Sequence, residues 1–267
     1  MSATRIPVKS EEIWVIGKIG RLFARLWSTA KGQSRAPIVL FHDSLGSVDL
    51  WRNFPEELCR ATGREVIAYD RLGFGKSDRH PGMLNLDFIT READRDFASI
   101  KDQLGIDHFV AFGHSVGGGM AVNCAARYKQ WCTALITEAA QAFVEDKTLN
   151  EIEASKNAFK GEEHFNRLRK YHDDKAGWVL ASWTESWLHP SFASWTLAPI
   201  LPNITCPALV IHGLDDEYGS QRHPKIIAEN LGGPVQLEML PATRHVPHKE
   251  KTQVVVELVQ TFLAPMG

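Results

Sequence analysis

The chain has 267 residues, 44% of them hydrophobic and 23% charged, with a formal net charge of −2. That length suits one large domain, or one core with an inserted lid, and the balance excludes a disordered chain, a nucleic-acid binder and a sticky charged tail. There is no run of ~18 apolar residues to span a membrane, and the N-terminal MSATRIPVKSEE lacks an apolar signal core, so a cytoplasmic protein is expected.

In chain order, Glu12–Lys18 and Arg21–Trp27 are apolar-rich runs split by Ile19-Gly20, which predicts an antiparallel pair at a sheet edge. Pro37–Phe41 is a continuous apolar run, the mark of a strand buried on both faces. After the loop HDSLGSVDLW comes a helix near Phe54–Thr62, then a buried strand at Glu65–Tyr69 ending in Asp70. The loop RLGFGKSD leads to a helix around Asp87–Leu104, and a further strand spans His108–Phe112. Gly-His-Ser-Val-Gly follows, with Met120–Ala126 reading as helix, and then a strand at Ala134–Thr137.

The rhythm changes over 141–202, which reads as helical and holds Trp178, Trp183, Trp187 and Trp195 without a clear buried strand. Beyond Pro202 it resumes with a strand at Ala208–His212, a helix at Pro224–Leu231, a strand at Val235–Leu240 and a final helix at Lys249–Leu263. Alternation on both sides of an insertion implies a mostly parallel sheet with helices on both faces, and an insertion above the carboxyl ends of the strands, where such sheets bind ligands. Cys59, Cys124, Cys132 and Cys206 show no metal spacing and read as reduced, mostly buried thiols.

The chemistry centres on Gly113-His114-Ser115-Val116-Gly117. A strand–turn–helix context turns this G-x-S-x-G into a sharp bend presenting Ser115 at the top of a strand, with the new helix aiming its positive end there. By chance alone such a pattern occurs in roughly one chain in ten of this length, so the remaining parts decide. A serine hydroxyl needs a base, and the base needs an orienting acid. His245, in the loop TRHVPH after the last strand, is the expected base; His248 is its competitor and reads as a loop or helix N-terminal hydrogen-bonding residue. In HGLDDEYG, Asp216 lies three residues past Gly213 and is the expected acid, ahead of Asp215. Glu138 reads as structural, with the acid role as its alternative, and Asp70 as the anchor of the turn Arg71-Leu72-Gly73. An oxyanion hole takes the N–H of Val116, just after the nucleophile, and of Ser44 in the loop after Pro37–Phe41.

Taken in order, FHDSLGS, YDRLGFGKS, GHSVGG, HGLDDEY and HVPH make the chain resemble the α/β-hydrolase fold superfamily, in the group of small cap-bearing serine hydrolases. The resemblance spans nearly everything outside 141–202. It implies an eight-stranded, mostly parallel sheet in a core of residues 1–140 and 203–267, with 141–202 as a helical cap. Two residues depart from the family's pattern: Asp43 stands where glycine commonly follows the histidine, and Arg244 where glycine commonly precedes the catalytic histidine. A cation beside the imidazole would disfavour its protonated form unless it faces solvent or pairs with an acid.

The expected function is hydrolysis of a small carboxylic ester, thioester or lactone through an acyl-enzyme on Ser115, with no cofactor and no metal. The substrate is a small molecule, apolar or aromatic, touched by His114, Trp183 and Trp187, of which the last two share a helix face. Neither nucleic acid nor membrane is an expected partner, and the chain is a monomer or homodimer. The same residues would serve a carbon–carbon bond hydrolase of ring-fission products, or a small-molecule receptor with slow turnover. A haloalkane dehalogenase would need Asp in place of Ser115. RLGFGKSD lacks phosphate-loop spacing and reads as a turn beside the serine. Lys170–Asp174 reads as a solvated face, with a polar substrate tail as the alternative.

Overall fold

A computed structural model describes residues 6–30 and 35–266. Residues 1–5, within the segment read as lacking an export signal, lie outside the described residues. One eight-stranded sheet has β1 (Lys9–Ile16), β2 (Arg21–Ser28), β3 (Ile38–Phe41), β4 (Val66–Tyr69), β5 (Phe109–His114), β6 (Cys132–Glu138), β7 (Ala208–Gly213) and β8 (Val235–Leu240). Their order across the sheet is β1-β2-β4-β3-β5-β6-β7-β8. β1 pairs with β2, and β2 with β4, antiparallel; the rest of the sheet is parallel.

The continuous apolar runs follow from burial on both faces. Val39, Phe41, Ala111, Leu135 and Val210 point into one core, while Ile38, Leu40, Val110, Phe112, Ala134, Ile136, Leu209 and Ile211 point into the other. Each large side chain so placed is worth about 1.5–3 kcal/mol over exposure. The second core is closed by α1 (Phe54–Thr62) and, further along the chain, by α10 (Thr252–Leu263), which supplies Val255, Val256 and Val259.

The helix expected over Asp87–Leu104 is broken into α2 (Phe88–Arg91), a 3-10 turn at Glu92–Asp94 and α3 (Asp96–Gln103). Two buried acids flank the break. Glu92 accepts from the Tyr69 hydroxyl at 2.5 Å and Asp96 from the Leu72 N–H at 2.7 Å, so one is tied to β4 and the other to the loop after it. α4 (Val116–Arg127) starts directly after Ser115, four residues before the expected Met120. The insertion contributes α5 (Asp146–Ala158), α6 (Glu162–His172) and α7 (Ala176–Trp187), and among the described residues its one β pairing is an isolated bridge, Phe143 with Thr196. α8 (Arg222–Asn230) precedes β8. The helix expected over Lys249–Leu263 is α9 (Pro247–Glu250) and α10, parted at Lys251; Glu250 turns back to accept from the N–H groups of Arg244 and Val246, so α9 belongs to the loop before it.

The reading of Lys170–Asp174 as a solvated face is corrected at His172, which is fully buried. Its Nδ1 accepts from the Gly75 N–H at 2.9 Å and its Nε2 donates to the Leu45 carbonyl at 2.9 Å, fastening α6 to two core loops.

Candidate active site

Strand order brings the site together. Phe41 is in register with Gly113, His114 with Glu138, and Glu138 with Ile211, so the loops after β3, β5, β6 and β7 leave the sheet side by side. The chain winds from β3 to β4 on one side and returns to β5 on the other, and open parallel sheets form their ligand crevices at such a reversal.

Ser115 sits at that point with φ 56° and ψ −126°, in the left-handed region that costs a residue with a Cβ. Its N–H donates to the Glu138 carbonyl at 2.9 Å, and its own carbonyl accepts from Gly118 at 2.8 Å. The turn closes because its flanking glycines have no side chain: a Cβ on Gly113 would lie 2.0 Å from the Gly117 oxygen, and one on Gly117 2.1 Å from the Phe41 oxygen.

The Ser115 Oγ lies 3.0 Å from His245 Nε2, and His245 Nδ1 is 2.9 Å from both carboxylate oxygens of Asp216. Asp216 Oδ1 also accepts from the N–H groups of Tyr218 and Gly219, at 2.8 and 3.0 Å. Burial alone would raise the Asp216 pKa, but the His245 imidazole foremost, with the Gly219 N–H, outweighs it and holds the pKa at about 2. His212 lies 3.7 Å away, and burial pushes it down to about 4, so it is neutral near pH 7 and leaves Asp216 to His245.

Arg244 turns out to solvent, its side chain 65% exposed, and pairs with Glu217 at 3.4 Å. Asp70 accepts from the N–H groups of Val48 and Lys76 at 2.6 and 2.7 Å and so anchors the loop containing Arg71, Leu72 and Gly73.

Above Ser115 is a cavity of about 180 Å³, between the core loops and the helical insertion. Ser44, Trp183 and Trp187 line it. Val116 is the first residue of α4, so its N–H has no intrahelical acceptor. His114 is corrected: it is buried and absent from the cavity wall, with its ring among Asp43, Glu138 and His248. The sequence reading missed Gln141, whose Oε1 lies 3.4 Å from the Ser115 Oγ, and Tyr218, whose ring lies 4.7 Å from that of His245. Gln141 has one weak signal, its place just past the end of β6; Tyr218 has its place two residues after Asp216. Lys147 of α5 donates to the Asp216 carbonyl at 2.5 Å, tying the insertion to this loop.

Among the described residues, one group has ligand-type atoms close enough for a metal ion: His114, Glu138 and His248, all buried, within 4.8 Å of one another. Part of this group is already engaged, while Glu138 Oε1 has no hydrogen-bond partner. His248 Nδ1 is 2.5 Å from Glu138 Oε2, and His114 Nε2 donates to the His245 carbonyl at 2.8 Å.

The family model described as alpha/beta hydrolase fold matches residues 36–252. The chain belongs to that family. This hydrolase-fold chain is 26% identical over 206 residues to "Serine hydrolase BPHL" of Homo sapiens, covering 74% of itself and 69% of that protein. Among solved structures, it is similar to a proline iminopeptidase from Mycobacterium smegmatis (TM-score 0.74, 20% identity, 96% of this chain and 98% of that one). It is also similar to an enol-lactonase from Burkholderia xenovorans LB400 (TM-score 0.71, 20% identity, 94% of this chain and 100% of that one). At such identities these two likenesses carry the fold alone. Among the described residues no helix is long and apolar enough to cross a membrane.

Proposed function

We propose that this hydrolase-fold protein is a cofactor-independent serine hydrolase that cleaves a small carboxylic ester, thioester or lactone through an acyl-enzyme on Ser115. The observation that carries this reading is the unbroken line from Ser115 Oγ to His245 Nε2 (3.0 Å) and from His245 Nδ1 to Asp216 (2.9 Å), opening at its serine end into the cavity. His245 takes the hydroxyl proton as Oγ attacks the carbonyl, and Asp216 stabilises the imidazolium. The N–H groups of Val116 and Ser44 receive the developing oxyanion, each such donor being worth about 10²–10³-fold in rate. The imidazolium passes its proton to the leaving oxygen or sulfur. Water, deprotonated by His245, then attacks the acyl-enzyme; the acid leaves and Ser115 regains its proton.

Residues 141–202 act as the cap, with 1–140 and 203–267 as the core. Trp183, Trp187 and Ile152 give the cavity an apolar side, which suits an apolar or aromatic acyl group. The test is Ser115→Ala on p-nitrophenyl esters of graded chain length. The expected loss in kcat is about 10⁴–10⁶-fold, together with loss of labelling by a fluorophosphonate. Undiminished hydrolysis would sink the assignment.

A further inference from the structure

Behind Ser115 lies a second set of ionisable groups that the reaction above does not use. The His114 ring faces Asp43 from the loop after β3, Glu138 from the end of β6, and His248 from α9; Lys249, also of α9, acts on Asp43. His114 Nε2 is 2.8 Å from the His245 carbonyl oxygen, a group that only accepts, so Nε2 carries a proton. Its Nδ1 is 3.3 Å from Asp43 Oδ2, and an ionised carboxylate also only accepts. A neutral imidazole has one N–H and serves one of these partners; two N–H groups serve both. The remaining pair is satisfied separately, with His248 Nδ1 donating to Glu138 Oε2 at 2.5 Å.

We propose that His114 is a buried imidazolium and a positioning residue: paired to Asp43 and bonded to the His245 carbonyl, it locks the oxyanion loop and the base loop into one register around Ser115. The inference rests on the serine-hydrolase reading, because only there do Ser44 and His245 act on the same atoms. Asp43 is one of the two departures from the family's sequence pattern, and a glycine at that place supplies no counter-charge. Electrostatics agree. Burial alone would lower the His114 pKa, yet Asp43 and Glu138 carry it above the ordinary histidine value. Burial would raise Asp43, yet His114 takes it well below the carboxylate range. On His248 burial dominates and the pKa falls, leaving it neutral as the donor to Glu138.

The test uses the full chain labelled with ¹⁵N-histidine, the His114 signals being assigned by their loss in His114→Gln. Both His114 ring nitrogens are expected to be protonated at pH 7.5. Asp43→Asn is expected to lower their titration midpoint by about one pH unit or more. The same variant is expected to lower kcat by about 10–100-fold with KM little changed, and to shift the alkaline limb of the kcat profile down with the NMR midpoint. A merely structural role would move the melting temperature without that shared displacement. A neutral, singly protonated His114 at pH 7.5 would overturn the inference, as would stoichiometric metal in the purified protein. So would an Asp43→Asn enzyme with unchanged midpoint and kcat. Asp43 is partly exposed, so its variant keeps the test alive if His114→Gln fails to fold. If Ser115→Ala retains activity, the serine-hydrolase reading fails while the NMR result still stands by itself.

Discussion

His245 with Asp216 and His248 with Glu138 are one chemical pair built twice, on histidines three residues apart and on acids at the ends of adjacent strands. Both are hydrogen-bonded through Nδ1, at 2.9 and 2.5 Å. What differs is the far side of each ring. His245 Nε2 reaches Ser115 and the cavity; His248 is packed against Trp51 and Phe54, at 4.7 and 5.2 Å between ring centres. The Asp216 carboxylate collects backbone donors, whereas Glu138 Oε1 is buried without a hydrogen-bond partner. A histidine–acid pair is thus not a site in itself: a nucleophile and an open volume on the free nitrogen make it one.

The comparison breaks first at the acid. Asp216→Asn should lower kcat by about 10⁴-fold, because an amide no longer holds the imidazole in the tautomer that accepts from Ser115; stopped-flow acylation measures it. The same variant should flatten the acid side of the stability curve. With its folded pKa held at about 2, below the unfolded carboxylate value, Asp216 contributes about 2 kcal/mol above the unfolded pKa, lost as pH falls through the folded one. Denaturant melts at pH 7 and pH 2.5 report it. An intermediate effect is expected at the open volume itself. Trp183→Ala removes part of the cavity wall and should lower kcat/KM for the shortest p-nitrophenyl esters about 10-fold while moving the optimum to longer chains; a flat series would separate the cavity from substrate choice. The smallest effect on turnover belongs to the sealed pair. His248→Gln should leave kcat within about 3-fold, yet cost about 2 kcal/mol of stability because Glu138 keeps a weaker donor in a buried place. A turnover loss as large as that of Asp216→Asn would erase the distinction between the pairs.

The two pairs also mark where sequence stops being informative. The core strands are legible because burial on both faces writes an uninterrupted apolar run, and strand ends blur where that run meets polar residues: β5 continues to His114 and β7 to Gly213, both beyond the apolar stretch. Ser115, Asp216 and His245 are legible because each follows a strand end in a fixed chain order. His114 is not, since its partners lie far off in the chain and sheet order alone brings them close. His172 fails for the same reason: its burial depends on Gly75 and Leu45, 97 and 127 residues away. The insertion leaves little periodic trace. α5 buries only Thr148 and Ile152, and its contribution to the cavity is completed by Trp183 and Trp187 from α7 and Tyr218 from the core.

The glycines around Ser115 carry a consequence for inheritance. Every amino-acid replacement reachable by one base change in a glycine codon adds a Cβ, and at Gly113 and Gly117 that atom would lie about 2 Å from a backbone oxygen. Gly177 in α7 has nothing within 4 Å of the same added atom, and there alanine removes a helix penalty of roughly 0.5–1 kcal/mol. Drift can therefore rewrite the helices over the cavity, codon by codon, while the turn beneath them stays frozen, and lineages of this chain should diverge in what they admit long before they diverge in how they bend around the serine.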